Sequence, residues 1–220
     1  MALDDKNDTY HFLDINPDEA ERLQLGELVI GDWMGGKRVW APLNVSKPGL
    51  KFLDSAMATG VWLQNLQASL PDGAANTYIG TDVSPIYFMK DPPPGISLSV
   101  HSMNDPWLVE WHNTFDLVHQ RMALPAAGHA VVKQVIANMI GLLKPGGWLQ
   151  LVESDHSIVE GPAMGDMFRL LCDVFKVMET GPDYAPQLED WFRELGLVNV
   201  DSKIFDIPLG AKHPKEKLKA

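Results

Sequence analysis

The chain has 220 residues, 45% of them hydrophobic and 21% charged, with a formal net charge of -11. Its length suits a single core with one site, since cores usually stop growing at roughly 250 to 300 residues, and the composition is that of a folding globular chain rather than a disordered one. So acidic a surface would repel a phosphate backbone, so no nucleic-acid partner is expected.

The lone Cys172 excludes an intramolecular disulfide and sits in an apolar helical pattern, where it is expected in the core. No Cys/His cluster marks a metal site. The opening MALDDKNDTYHF is polar and acidic, and no run approaches the roughly 18 apolar residues of a membrane span. No membrane partner is expected, and the cytoplasm is the expected location.

Asn16-Pro17-Asp18-Glu19 reads as a capped helix start. The helix is predicted to reach about Met34, with Ala20, Leu23, Leu28 and Val29 near one face and Gly35-Gly36 ending it. Residues 1–48 are thus expected to form an N-terminal helical lid ahead of a domain over residues 49–220.

Residues 49–54 read as a buried strand and residues 61–70 as a helix carrying Trp62, Leu63, Leu66 and Leu70. Residues 77–80 form a second strand, so the unit has the length of a βαβ crossover. Strands are predicted again at 96–100, 115–118 and 148–152. A helix carrying Val131 to Leu143 precedes the last of these, with Lys144-Pro145-Gly146-Gly147 as its terminator. A helix over 162–179 is expected to bury Met164, Met167, Phe168, Leu171, Val174, Phe175 and Met178. A shorter one sets Leu188, Trp191, Phe192 and Leu195 on one face, and a sixth strand is expected within 198–207.

Strands alternating with helices predict a doubly wound, mostly parallel, Rossmann-like α/β sheet that binds ligands at the carboxyl ends of its strands. The turn Asp54-Ser55-Ala56-Met57-Ala58-Thr59-Gly60 stands at the first of those ends, where small residues allow close backbone approach to a ligand. Asp82, 22 residues past Gly60, is placed to accept bonds from ribose hydroxyls, with Val83 beside it. Ser102, Met103 and Asn104, just beyond the third strand, offer hydroxyl, apolar and amide contacts to an adenine ring.

Acid-base candidates cluster at the same end. His119 ends strand four, and Glu153, Asp155 and His156 follow strand five, so all are expected to face one crevice, with His156 the preferred base. Arg121 suits orienting a carboxylate or carbonyl, or pairing with an acidic helix. Trp33, Trp40, Trp107 and Trp111 could line an aromatic acceptor pocket.

Taken together, LDSAMATG (53–60), YIGTDVSP (78–85), DPW (105–107), FDLVHQR (115–121) and LKPGGWL (143–149) resemble the LaeA-like class I methyltransferases of filamentous fungi. The likeness extends to Tyr10, to residues 16–28 and to FDIPLGAK (205–212), so it covers nearly the whole chain. It implies S-adenosylmethionine as methyl donor and S-adenosylhomocysteine as product. The donor would lie over Ala56 to Gly60, with ribose on Asp82, adenine beside Ser102 to Asn104, and the methionine end near His119 and Gln120, under Tyr10. The superfamily turn is D-x-G-x-G-x-G, and here Ala56 and Ala58 stand at its first two glycine positions.

The activity this implies is methyl transfer to a small secondary metabolite, aromatic or polyketide-like. A cyclase, isomerase or rearrangement catalyst on the same fold, or a non-catalytic regulatory partner, would fit the altered glycine turn as well. The resembled sheet has seven strands, the last inserted antiparallel between the fifth and sixth, whereas six are counted here. The edge of residues 148–152 is therefore expected to pair with 198–207, or with a strand from a second copy in a homodimer.

Overall fold

The computed structural model describes residues 17–128, 130–155, 161–177, 180–181, 184–207 and 214–215. Helix α1 (Pro17–Trp33) leads into β1 (Lys51–Ser55), α2 (Val61–Ser69), β2 (Thr77–Asp82), β3 (Ile96–Val100) and β4 (Phe115–Arg121). Then come α3 (Val132–Ile140), β5 (Leu143–Val152), α4 (Pro162–Val177) and α5 (Leu188–Glu194). All strand pairings are parallel, in the order β3-β2-β1-β4-β5. The order reverses between β1 and β4, which opens a crevice at their carboxyl ends, and the doubly wound expectation holds.

Strand alternation divides the core into two. In β1, Phe52 faces a cluster with Trp62, Leu63 and Leu66 of α2, while Leu53 faces the other side, with Val135, Ile136 and Met139 of α3. Leu117 and Val118 of β4 split in the same way, because successive side chains leave opposite faces of a strand. A strand covered on both sides is apolar throughout, and Phe52, Leu53, Leu117 and Val118 are all fully buried.

Several expectations are corrected. Lys144-Pro145-Gly146-Gly147 does not terminate α3 but lies within β5, where a register irregularity between Phe115 and Leu117 absorbs it. A side chain at Gly147 would sit 2.7 Å from the Phe115 carbonyl oxygen, so glycine permits this close pairing. Residues 198–207 form no strand, which leaves five strands among the described residues and removes the proposed pairing of 198–207 with β5. That segment is held by side chains instead. Lys203 lies over the Trp40 ring at 4.1 Å, and Phe205 meets Trp40 edge-on at 5.2 Å.

The faces of two helices also differ. In α1 Leu28 is exposed, while Glu27 and Gly31, one turn apart, are turned inward. In α4 no residue is buried, and Met164, Met167 and Val174 are exposed. Cys172, on the same helix, is only partly covered and does not belong to the core.

Gly80 of β2 marks the tightest packing around β1, since a Cβ there would lie 2.1 Å from Met57 Sδ and 2.9 Å from Leu63 Cδ1. Gly80→Ala is expected to lower unfolding stability by about 1 to 3 kcal/mol through overpacking, measured by urea denaturation.

Candidate functional site

The site grows from the carboxyl end of β1. Its loop turns through three left-handed residues, Ala56 (φ 53°), Ala58 (φ 53°) and Gly60 (φ 75°), at the three glycine positions of the expected motif. The two alanines therefore keep the backbone path that glycine would follow, at a cost of about 1 to 2 kcal/mol each. The turn is closed by Met57 N–H donating to the Thr81 carbonyl at 2.9 Å and Ala58 N–H donating to Asp82 Oδ2 at 2.8 Å.

Asp82 also accepts from Ser84 N–H at 3.3 Å through its other oxygen. Burial pushes its carboxyl upward, against the lowering effect of those backbone donors. Each oxygen retains lone-pair capacity for a further donor such as a ribose hydroxyl. Val83, next in the chain, is exposed.

On the α2 face of the sheet, Asp54 of β1 and His119 of β4 are register partners, and Asp54 Oδ1 lies 2.7 Å from His119 Nδ1. Both are buried, and the Trp62 ring covers the imidazole at 3.7 Å with 2° between planes. The carboxylate accepts from Nδ1–H, which fixes the tautomer and leaves Nε2 with its lone pair. His119 lines a cleft with Trp62, Gln150, Arg121, Glu27 of α1 and Met34 just past that helix.

Arg121 follows at the next position on that face and is spent on a structural bond. It pairs with Glu27 of α1, which also meets Arg38 at 3.2 Å and accepts from Asn65 at 3.2 Å. Glu27 is 2% exposed, so its charge requires these partners. Arg121 thus serves as the ion-pair partner of an acidic helix, the second role considered for it.

Gln120, the residue between, points to the opposite face. Its Nε2 donates to Ser55 Oγ at 3.3 Å and contacts Met103 Sδ at 3.1 Å, while its buried Oε1 has no partner among the described residues. His119 and Gln120 are therefore separated by the sheet and do not present their side chains to one surface. Ser102 Oγ accepts from Asn104 N–H at 3.2 Å and shapes the turn that carries Met103 under Gln120. The exposed Asn104 and half-buried Ser102 border the end of β3.

Glu153, just past β5, accepts from Ala123 N–H and Leu124 N–H, both at 3.1 Å, and burial pushes its carboxyl up to about 7. Its neighbours, Leu124 and Tyr184, belong to the α3 side, away from the Asp54–His119 pair. Glu153 and His119 thus do not share one crevice. Tyr10 and His156 lie outside the described residues. The tryptophans do not converge either: Trp107 stacks near His101 at 4.4 Å and Trp111 at 6.0 Å, whereas Trp40 meets Phe205.

Trp62, Glu27 and Gln150 escaped the sequence reading as site residues. Trp62 reads as ordinary helix core, and Glu27 is not among the residues predicted for the apolar face of its helix. Gln150 clamps the segment before β1, accepting from Trp40 N–H at 2.7 Å and donating to the Arg38 carbonyl at 2.8 Å. Glu27 finds Arg121 across 94 residues, a separation that carries no local signal.

Two outcomes follow. Ala58→Gly relieves a left-handed alanine and is expected to raise stability by roughly 0.5 to 1 kcal/mol in urea melts, whereas Ala68→Gly inside α2 lowers it by a similar amount. A Glu153 carboxyl raised to about 7 binds its proton more tightly folded than unfolded. Stability from this group is therefore present below the unfolded value of 4.5 and is lost as pH rises to about 7. Glu153→Gln keeps an acceptor for both N–H groups, and its thermal midpoint should fall less between those pH values than the wild type's.

No known family model matches the sequence. Among curated proteins, the chain is 33% identical to N-methyltransferase gliN of Aspergillus fumigatus, over 99% of this chain and 78% of that protein. It is 38% identical to methyltransferase psoC of the same fungus, over 90% and 72%. Against N-methyltransferase tcpN of Claviceps purpurea it is 36% identical, over 88% and 70%.

The fold resembles that of Haemonchus contortus phosphoethanolamine N-methyltransferase 2, solved with phosphomonomethylethanolamine and S-adenosylhomocysteine. That match has a TM-score of 0.62 at 14% identity, over 88% of this chain and 45% of that one. An O-methyltransferase family protein from Burkholderia thailandensis gives 0.62 at 16% identity, over 86% and 57%. With the left-handed loop, Asp82 and the β1–β4 crevice in place, the chain belongs to the fungal family of class I, S-adenosylmethionine-dependent methyltransferases that includes gliN, psoC and tcpN.

Proposed function

We infer that the chain transfers the methyl group of S-adenosylmethionine to a nitrogen of a small secondary metabolite. The observation that carries this reading is the Asp54–His119 pair, held beside the left-handed loop with its imidazole Nε2 uncommitted to Asp54. Two of the relatives named above are N-methyltransferases, which supports nitrogen as the acceptor atom. Within the family, the motifs FDLVHQR and YIGTDVSP support a LaeA-like grouping. The acidic chain and its single cysteine support a cytoplasmic setting, with neither nucleic acid nor membrane as partner.

The residues present fit the cofactor. The half-buried Ala56 and Ala58 take left-handed turns beside Asp82, which keeps acceptor capacity for ribose, and the orphaned Gln120 Oε1 is a buried acceptor available to a donor group. Ser102, Met103 and Asn104 supply the adenine side, and Val83 the edge of Asp82. When bound, S-adenosylmethionine supplies a methyl group on a positively charged sulfur.

The chain's own work is positioning and proton transfer. A nitrogen acceptor must offer a free lone pair, and the amine or amide proton it loses needs a nearby base. His119 Nε2 takes that proton, and Asp54 steadies the imidazolium that results. Trp62 excludes water from one face of the ring, and His119 lines the cleft. The α1 lid is held over that cleft by Glu27 through Arg38 and Arg121.

His119→Asn retains a donor toward Asp54 and loses the Nε2 base. With labelled S-adenosylmethionine and a fungal metabolite extract, it is expected to slow methyl transfer by about 100-fold or more while S-adenosylhomocysteine binding stays close to wild type. Undiminished turnover would exclude His119 as the base, and binding without any labelled product from the wild type would overturn methyl transfer. Glu27→Ala leaves two arginines facing a void, and should cost about 2 kcal/mol or more by calorimetry.

A further inference from the structure

We propose that the cleft beside His119 binds a carboxylate, so that the acceptor is an acidic metabolite with a free carboxyl group besides the nitrogen that is methylated. Naming the acceptor rests on the methyl-transfer reading, whereas the carboxylate site rests on the charges around the cleft.

The chain holds 29 acidic residues against 18 lysines and arginines, so the charged residues around an arbitrary cleft would be mostly carboxylates. This cleft is lined by Lys37, Arg38 and Arg121 against the single carboxylate of Glu27. Even with Asp54 counted, behind His119, positive charges outnumber negative ones there. Arg121 is committed to Glu27, and so is Arg38 Nη2 at 3.2 Å, while Arg38 Nη1 donates to the Gly36 carbonyl at 3.0 Å. Two donors are left over. Arg38 Nε is buried with no acceptor among the described residues, a condition that buried donors rarely keep. Lys37 makes no ion pair among the described residues, and its Nζ lies 4.6 Å from the centre of the Trp40 ring. Two cationic donors lining one cleft match the two oxygens of a carboxylate.

The donors are set in place by the fold. Gln150 Oε1 accepts from Trp40 N–H at 2.7 Å and Gln150 Nε2 donates to the Arg38 carbonyl at 2.8 Å, which fixes the backbone on both sides of Val39. Gly31 of α1 lets the guanidinium pass close to that helix, since a Cβ there would stand 3.4 Å from Arg38 Nη2. Position also separates this site from the methionine carboxylate of the methyl donor. The left-handed loop, Asp82 and Ser102 to Asn104 follow β1, β2 and β3, whereas the cleft is bordered by α1, by Trp62 and by Arg121, Gln150 and Val152 of β4 and β5. His119 lines the same cleft, so a carboxylate held by Lys37 and Arg38 brings the rest of the acceptor to the base.

The test is a titration of the full chain with benzoate and with its uncharged counterpart benzamide, following the Arg38 Nε–H signal by nitrogen–proton correlation NMR. Benzoate is expected to move that proton downfield with saturation, and benzamide to leave it in place. Lys37→Met alters an exposed residue and should weaken benzoate binding about fivefold, whereas Lys37→Arg should retain it. The benzoate response should persist in saturating S-adenosylhomocysteine. If S-adenosylhomocysteine alone produces the shift, the site belongs to the donor's own carboxylate and the proposal falls. In a second arm, the fungal metabolite extract is divided into acidic and neutral fractions before incubation with labelled S-adenosylmethionine, and labelled product is expected from the acidic fraction alone. Benzoate that leaves Arg38 Nε–H unmoved at its highest soluble concentration overturns the proposal, as does a neutral fraction that yields labelled product. No labelled product from either fraction, with benzoate bound as expected, overturns the methyl-transfer reading and the acceptor with it, while the carboxylate site stands.

Discussion

The carboxylate of Asp54 is buried near the end of the central strand of the sheet, and an ionised group in that position must find a donor or lose its charge. It finds His119 on the neighbouring strand, in register. That bond fixes the imidazole, the imidazole gives Trp62 a flat surface to stack on, and Trp62 sets the first turn of α2. Because α2 begins there, the chain has only residues 56–60 in which to leave β1 and enter the helix, and it does so through repeated left-handed turns. Asp82 then accepts from the middle of that loop and ties β2 to it. The loop, the start of α2 and the end of β2 are thus assembled around one buried carboxylate.

A second buried charge fixes α1. Glu27 holds α1 to the sheet through Arg121 of β4 and Arg38 of the connecting segment, and Gln150 of β5 holds that segment by its backbone. The order of β4 thereby assigns three successive side chains to three tasks. His119 faces the cleft, Gln120 faces the opposite side with Ser55 and Met103, and Arg121 anchors α1. Strand alternation, rather than proximity in sequence, separates chemistry from structure here.

The helices α3 and α4 show why an apolar pattern does not by itself mean a buried helix. In α3, Val132, Val135, Ile136 and Met139 are all buried, because the helix is short and lies directly on β4 and β5. In α4 the apolar residues extend more than half-way round, so one neighbour cannot cover them all.

Local pattern was enough to place the first helix, the parallel βαβ unit, the third strand and the α5 face, since each is decided by periodicity and by the turn residues at its ends. The same holds for the positions of the Asp54 to Gly60 turn and of Asp82, because both are tied to strand ends that periodicity locates. Pairing was not legible. Whether Pro145-Gly146-Gly147 stops a helix or bulges within a strand depends on the Phe115 carbonyl it approaches, and whether residues 198–207 form a strand depends on an available edge. Which of the acid-base residues meet was likewise decided by tertiary structure. Glu27 and Arg121, or Asp54 and His119, are brought together by contacts over long chain separations, and a linear sequence records the charge of each residue but not the partner that burial obliges it to find.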